Sequence, residues 1–226
     1  MMGERRGMPR LSCIEVTRKA AASQMNKEII RNHILRRCLC PIAVWFAMGL
    51  AAPPSAVLAQ SIEQKAQVCS ACHGTSGVPQ LKTTPAIWGQ QLGYLYLQLR
   101  DFKSGARKSD QMGAVAASLE RDDMMALATY FAQKPWPALA QPQASAAAAA
   151  QAVQATSAVV CTSCHQEGYK GDGTQPRLAG QERDYLAQTM LDFRSGARGN
   201  NPGMSDLMKS ISESDIGSIA DYLAGL

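Results

Sequence analysis

Cys69-Ser-Ala-Cys-His73 and Cys161-Thr-Ser-Cys-His165 decide how this chain reads. Each run sets two cysteines three positions apart and a histidine directly after the second. C-x-x-C-H is the attachment signature of a c-type haem. Cysteines at i and i+3 of a helical turn project to one side, where they can bond both vinyl groups along one porphyrin edge. The adjacent histidine then reaches the iron as its proximal ligand. A zinc site and a plain disulfide compete for the same residues. Neither explains why, past residue 59, every cysteine and histidine falls inside these two runs. A structural zinc takes four protein ligands, and each run offers three.

The runs are 92 residues apart, and the likeness continues around them. Asp101-Phe-Lys-Ser-Gly-Ala-Arg107 matches Asp192-Phe-Arg-Ser-Gly-Ala-Arg198 at an offset of 91. Pro85…Gly89-Gln90 and Tyr94-Leu95 match Pro176…Gly180-Gln181 and Tyr185-Leu186 at the same offset. Past a one-residue insertion near Asn200 the offset returns to 92, pairing Met112 with Met204 and Tyr130 with Tyr222. Two copies of one domain follow, since solenoids need three or more repeats. The domains are assigned to residues 60–140 and 141–226. Lys134–Gln143 reads as the linker because the Pro-Trp-Pro run ends the preceding helix. Ala144–Val160, rich in alanine, reads as the first helix of the second copy, or alternatively as a low-complexity tether.

The spacing of apolar residues is helical, and the fold class is all-α. Leu92, Leu95, Tyr96, Leu99 and Phe102 form one face before Gly105; Leu186, Met190 and Phe193 repeat it before Gly196. Final helices carry Met124, Leu127 and Phe131 in one copy and Ile216, Ile219 and Leu223 in the other. Ser212 and Asp215 suggest a capping box.

Composition, 46% hydrophobic and 18% charged, suits a globular chain. The formal charge of +5 sits in the leader: residues 1–59 net +6 and the remainder −1, so no basic stripe suggests nucleic acid. Arg31, Arg36 and Arg37 precede an uncharged stretch, Leu39–Ala59, with an apolar core, prolines and small residues at its end. This is a secretory signal pattern with cleavage expected after Ala59; an uncleaved anchor is the alternative. It implies export to the periplasm, and residues 1–59 are assigned no part in the fold. Cys13, Cys38 and Cys40 lie in this leader.

With the histidines used, the second axial position falls to methionine, lysine or nothing. Met112 lies 39 residues after His73, and Met204 lies 39 after His165. Such matched spacing favours these two over Met208, while Met124, Met125 and Met190 suit helix faces as packing residues. The iron ligands expected are therefore His73, Met112, His165 and Met204, with Cys69, Cys72, Cys161 and Cys164 as the covalent anchors of two haem c groups.

Taken together, the C-x-x-C-H runs, the Pro…Gly-Gln…Tyr-Leu pattern, the Phe-x-Ser-Gly-Ala-Arg turns and the late methionines resemble the dihaem cytochrome c4 family, two class I cytochrome c folds in tandem. The resemblance covers residues 61–226. It implies that the Pro85 and Pro176 carbonyls receive the second N–H of each proximal histidine, and that the domains meet face to face near the haem propionates. It also implies a bacterial electron carrier serving a terminal oxidase. The chain departs from the pattern in its plain alanine segment and in Trp88, which stands where the second copy has Ala179.

With both irons capped, no coordination site is open to substrate, so the reading is a carrier and not an enzyme. Redox proteins are its expected partners, a membrane oxidase and an upstream reductase or dehydrogenase, with no small-molecule substrate. An electron-accepting subunit of a dehydrogenase is the alternative. A dihaem peroxidase would need an open iron and a spare acid–base group, and a gas sensor an exchangeable ligand. Residues 60–140 net +2 and 141–226 net −3, an asymmetry expected to orient docking and to make transfer slower as salt rises. Arg107 and Arg198 suit either propionates or a solvated turn, Trp88 and Trp136 core packing, and Tyr94 and Tyr185 packing with outward polar tips.

Overall fold

A computed structural model describes residues 60–226. The signal pattern, its cleavage after Ala59 and the leader cysteines lie outside the described residues. Among the described residues the chain is helical, with no strand and one isolated bridge between Asp172 and Gln175. The first half holds α1 (Ile62–His73), α2 (Leu92–Ser104), α3 (Asp110–Ala117) and α4 (Arg121–Ala132). The second holds α5 (Ala146–Ala158), α6 (Thr162–His165), a 3-10 turn (Glu167–Tyr169), α7 (Arg183–Ser195), α8 (Pro202–Lys209) and α9 (Glu213–Ala224).

The helix ends follow from local chemistry. Ser61 caps α1 by accepting from Gln64 N, and the Gln64 side chain accepts from Ser61 N in return. Gly105 and Gly196 close α2 and α7 in the left-handed conformation, at φ 76° and 82°. The box at Ser212 is half formed: its hydroxyl accepts from Asp215 N but donates to the Asp215 carboxylate, so the Ser212 N–H is not its target.

Each half has its own core, and repeat-related residues fill related places. Leu95, Leu127, Ala128 and Phe131 pack together in the first, and their counterparts Leu186, Ile219, Ala220 and Leu223 in the second. Met124 and Met190 are buried as expected; Met125 is not a packing residue but 40% exposed, because it sits one step round α4 from the apolar stripe. The alanine-rich segment is a helix capped by Ser145. Ala152 is fully buried, its small side chain allowing close approach, while Gln151 bonds Asp215 and Ser218 of α9.

This helix stops at Ala158, short of the expected Val160. In the first half α1 runs unbroken through Cys69–His73; in the second, Val160 at φ 52° breaks the run before Cys161. A β-branched residue held there costs on the order of 1–3 kcal/mol. The following loops differ too. Gly74 and Gly77 supply positive φ in the first half, and Gln166 and Tyr169 occupy the equivalent places at φ 62° and 55°. A Cβ on Gly77 would come within 2.8 Å of the Trp88 ring. The second half inverts this pair: Tyr169 brings the bulk and Ala179 leaves the room, both buried in one core.

The halves meet about a pseudo-twofold axis. Gln181 reaches from the second half to Ala86, accepting from its N–H at 2.8 Å and donating to its carbonyl at 3.0 Å. Gln90 does the same in reverse to Arg177, at 2.7 and 3.0 Å. The linker crosses this axis. Gly89 and Gly180 are repeat-related, and a Cβ on either would crowd Trp136, at 2.9 and 3.2 Å. Trp136 and Trp88 are packing residues whose buried indole N–H groups find no partner among the described residues.

Candidate functional site

One cavity of about 660 Å³ extends through both halves. Its walls include Cys69, Cys72, His73 and Met112 from one and Cys161, His165 and Met204 from the other. Cys164 is exposed and stands outside the lining. None of the four cysteines is in a disulfide.

Both histidines are buried and oriented alike. The Nδ1–H of His73 donates to the Pro85 carbonyl at 2.8 Å, and that of His165 to the Pro176 carbonyl at 2.9 Å. A carbonyl can only accept, so Nδ1 must carry the proton and Nε2 keeps its lone pair. Desolvation pushes both imidazoles below the usual histidine range, partly opposed by these carbonyl bonds. A neutral, fixed imidazole is the form that binds a metal.

Met112 and Met204 each occupy the third position of an eight-residue helix. Each backbone N–H is held by the cap residue, Met112 by Ser109 Oγ at 3.2 Å and Met204 by Asn201 Oδ1 at 3.1 Å. The cap thus sets where each thioether starts. Asn201→Ala is expected to cost about 1 kcal/mol of stability and to broaden the signals of the Met204 methyl group, checked by thermal melting and proton NMR. Met208, the rival, is buried in the second core and lines the cavity as Met204 does.

A second crossing lies beside the cavity. Arg107 donates to Tyr185 OH at 3.1 Å, and Arg198 to Tyr94 OH at 3.4 Å, each pair joining opposite halves. Both guanidiniums also reach Gln98 Oε1. The tyrosine tips therefore turn inward, contrary to the expectation, because the arginines offer them donors in the seam. Arg198 is buried, which excludes the solvated-turn reading for it. Burial pushes the Tyr185 phenol up, but the two guanidiniums outweigh it and bring the group down to about 7. Among the described residues no carboxylate forms an ion pair with Arg107 or Arg198.

These features test the fit of haem c. The cavity is mostly apolar-walled, as a porphyrin requires. Cys69 and Cys72 of the first run and Cys161 of the second line it, with a fixed imidazole from each half. The two guanidiniums lack anionic partners, and each haem brings two propionates. The residues present fit the group.

Motif reading named the cysteines, histidines and methionines, and all of them but Cys164 line the cavity. It saw Gly-Gln as a repeated pattern but missed that Gln90 and Gln181 bond across the seam; their matched offset was the signal available. It missed Gln98, Asn200 and the buried Glu182, which accepts from Gln141 and pairs with Lys82. Nothing in the sequence marks these polar residues as facing each other.

Residues 147–223 match the family described as cytochrome C oxidase, cbb3-type, subunit III. The chain is 36% identical over 174 residues to a cytochrome c4 of Pseudomonas aeruginosa, covering 73% of this chain and 86% of that protein. It is 31% identical over 172 residues to a thiosulfate dehydrogenase electron acceptor of Stutzerimonas stutzeri, covering 71% and 80%. Its fold superposes on the crystal structure of reduced recombinant cytochrome c4 from Pseudomonas stutzeri with a TM-score of 0.66, at 29% identity, covering 74% of this chain and all of that one. The two attachment runs, the helical pair of halves and these relatives agree: the chain belongs to the dihaem cytochrome c4 family, electron carriers with two covalently bound haem c groups.

Proposed function

We propose that each iron is held by one histidine and one methionine, His73 with Met112 and His165 with Met204, and that the chain is a periplasmic carrier without catalysis of its own. The observation that supports this most is the repetition. Two buried histidines, each tied by Nδ1 to a proline carbonyl, share a cavity wall with two methionines, each fixed by a helix cap. We assign the two haem domains to residues 60–140 and 141–226, in line with the two separate cores.

The haem iron supplies one-electron exchange when bound. The protein supplies the rest. Cys69, Cys72, Cys161 and Cys164 anchor the groups covalently. His73 and His165 would offer Nε2 to the iron in a fixed orientation, and Met112 and Met204 would supply thioether ligands, which raise the potential. Arg107 and Arg198 hold negative charge at the seam. The partners are redox proteins, an upstream reductase or dehydrogenase and a terminal membrane oxidase.

The exported protein is expected to show the mass of two covalent haems, a low-spin reduced spectrum, a methionine-to-ferric charge-transfer band and no response to carbon monoxide. A high-spin component or a carbon monoxide shift would remove Met112 or Met204 from the ligand set. A second reading, the electron acceptor of a thiosulfate-oxidising dehydrogenase, is favoured by the relative of that name. Rapid reduction of the protein by such an enzyme with thiosulfate would select it, and failure to be reduced would leave the oxidase-directed carrier.

A further inference from the structure

We infer that Gln181 and Gln90 are crossed positioning residues: each sets the electron-donating strength of the proximal histidine in the opposite half. The inference rests on the histidine ligation proposed above. The peptide group between Pro85 and Ala86 is bonded at both ends. Its carbonyl accepts from His73 Nδ1–H at 2.8 Å, and its N–H donates to Gln181 Oε1 at 2.8 Å. The peptide between Pro176 and Arg177 is held in the same way, by His165 at 2.9 Å and Gln90 at 2.7 Å. Gln181 and Gln90 are 2% and 4% exposed, so water does not compete at either.

A peptide that gives away its N–H becomes a stronger acceptor at its oxygen, because bonds in a chain polarise one another. A stronger acceptor at Pro85 draws the His73 Nδ1 proton and makes Nε2 a better donor to the iron. That stabilises the ferric state and lowers the potential. The first haem is therefore tuned by a side chain of the second half, and the second haem by a side chain of the first. The second amide bond of each glutamine, to the Ala86 or Arg177 carbonyl, locks its orientation and places the oxygen, not the nitrogen, on the tuned N–H.

The holoprotein tests this by spectroelectrochemical titration, each haem followed through its own paramagnetically shifted methyl signals. Gln181→Leu is expected to raise the potential of the haem at Cys69 and Cys72, by up to about tenfold in its ferric-to-ferrous ratio, or 59 mV for a one-electron couple. The haem at Cys161 and Cys164 stays at its wild-type value. Gln90→Leu gives the mirror result. Gln181→Glu keeps an acceptor on Ala86 N–H and leaves the first haem at or below its wild-type potential, whereas a mere packing defect would move it in the same direction as Gln181→Leu. If either leucine variant moves both haems together, or neither, the crossed assignment is wrong. Should the leucine variants not fold, an upward shift of the first haem in Gln181→Glu overturns it alone. Intact mass keeps the two failures apart: wild type with fewer than two haems refutes the dihaem reading, and wild type with two leaves the potentials to judge the glutamines.

Discussion

Met112→Ala is expected to open the first haem to carbon monoxide and lower its potential, while the second haem keeps a six-coordinate, low-spin spectrum. Met204→Ala gives the converse. The argument begins with the absence of substitutes. Past residue 59 the chain has no histidine outside the attachment runs, so water or a small exogenous ligand is expected at the vacated position, and Lys108, which also lines the cavity, would show itself instead as a low-spin spectrum without carbon monoxide binding. Met208 also lines the cavity, so the double variant Met204→Ala with Met208→Leu distinguishes loss of the Met204 ligand from its replacement by Met208. Exchanging a thioether for a harder ligand withdraws its preference for ferrous iron, and the fall should be a sizeable part of the roughly 0.8 V over which axial ligands set haem potentials. Carbon monoxide difference spectra and redox titration of each variant provide the check. Unchanged spectra in Met112→Ala would show that the iron is held by another group.

The chain made without its haems is expected to lose fixed tertiary structure. At about 24 cal/mol per Å³, an unfilled cavity of 660 Å³ would cost roughly 16 kcal/mol. That exceeds or equals the whole stability of a typical domain, about 5–15 kcal/mol. Partial collapse and water entry reduce the figure, but collapse is itself the loss of this architecture. Arg107 and Arg198 add to the cost, because without propionates two cations face each other in the seam. The four-cysteine variant, Cys69, Cys72, Cys161 and Cys164 all to Ser, produced without haem, should keep part of its far-ultraviolet helix signal. It should show no near-ultraviolet signal and rapid proteolysis. The second half should resist longer, its core being the larger of the two. A sharp cooperative melt of that variant would mean that the helices close the cavity unaided.

Legibility in the sequence followed the range of the interaction. Attachment runs, helix faces and the glycine stops at Gly105 and Gly196 are local, and each could be read where it stands. The repeat singled out Met112 and Met204, which stand at one distance from two histidines, and the structure puts both on the cavity wall. The seam was illegible because its partners are about a hundred positions apart and chemically ordinary: Gln90 with Arg177, Arg198 with Tyr94. Tyr94 and Tyr185 were misjudged for that reason, since an amphipathic ring turns toward whichever donor tertiary structure supplies. The break at Val160 was missed because propensity favours continuing the helix, as the repeat-related Val68 does in α1. Trp88 against Ala179 looked like an isolated difference between copies. Beside Gly77 and Tyr169 it is half of a volume exchange.

The linker at the pseudo-twofold axis has a thermodynamic consequence. Residue i of one half bonds residue j of the other, and j bonds i, which is the isologous arrangement of a symmetric dimer. Residues 133–145, pinned at Trp136 between Gly89 and Gly180, turn that dimerisation into a unimolecular event. The effective concentration of one half for the other is of millimolar order whatever the dilution of the protein. Contacts too weak to hold two free chains together at cellular concentrations are thus saturated within one. Paired haem environments persist within one chain, and the link between its two centres owes nothing to how many copies the cell makes.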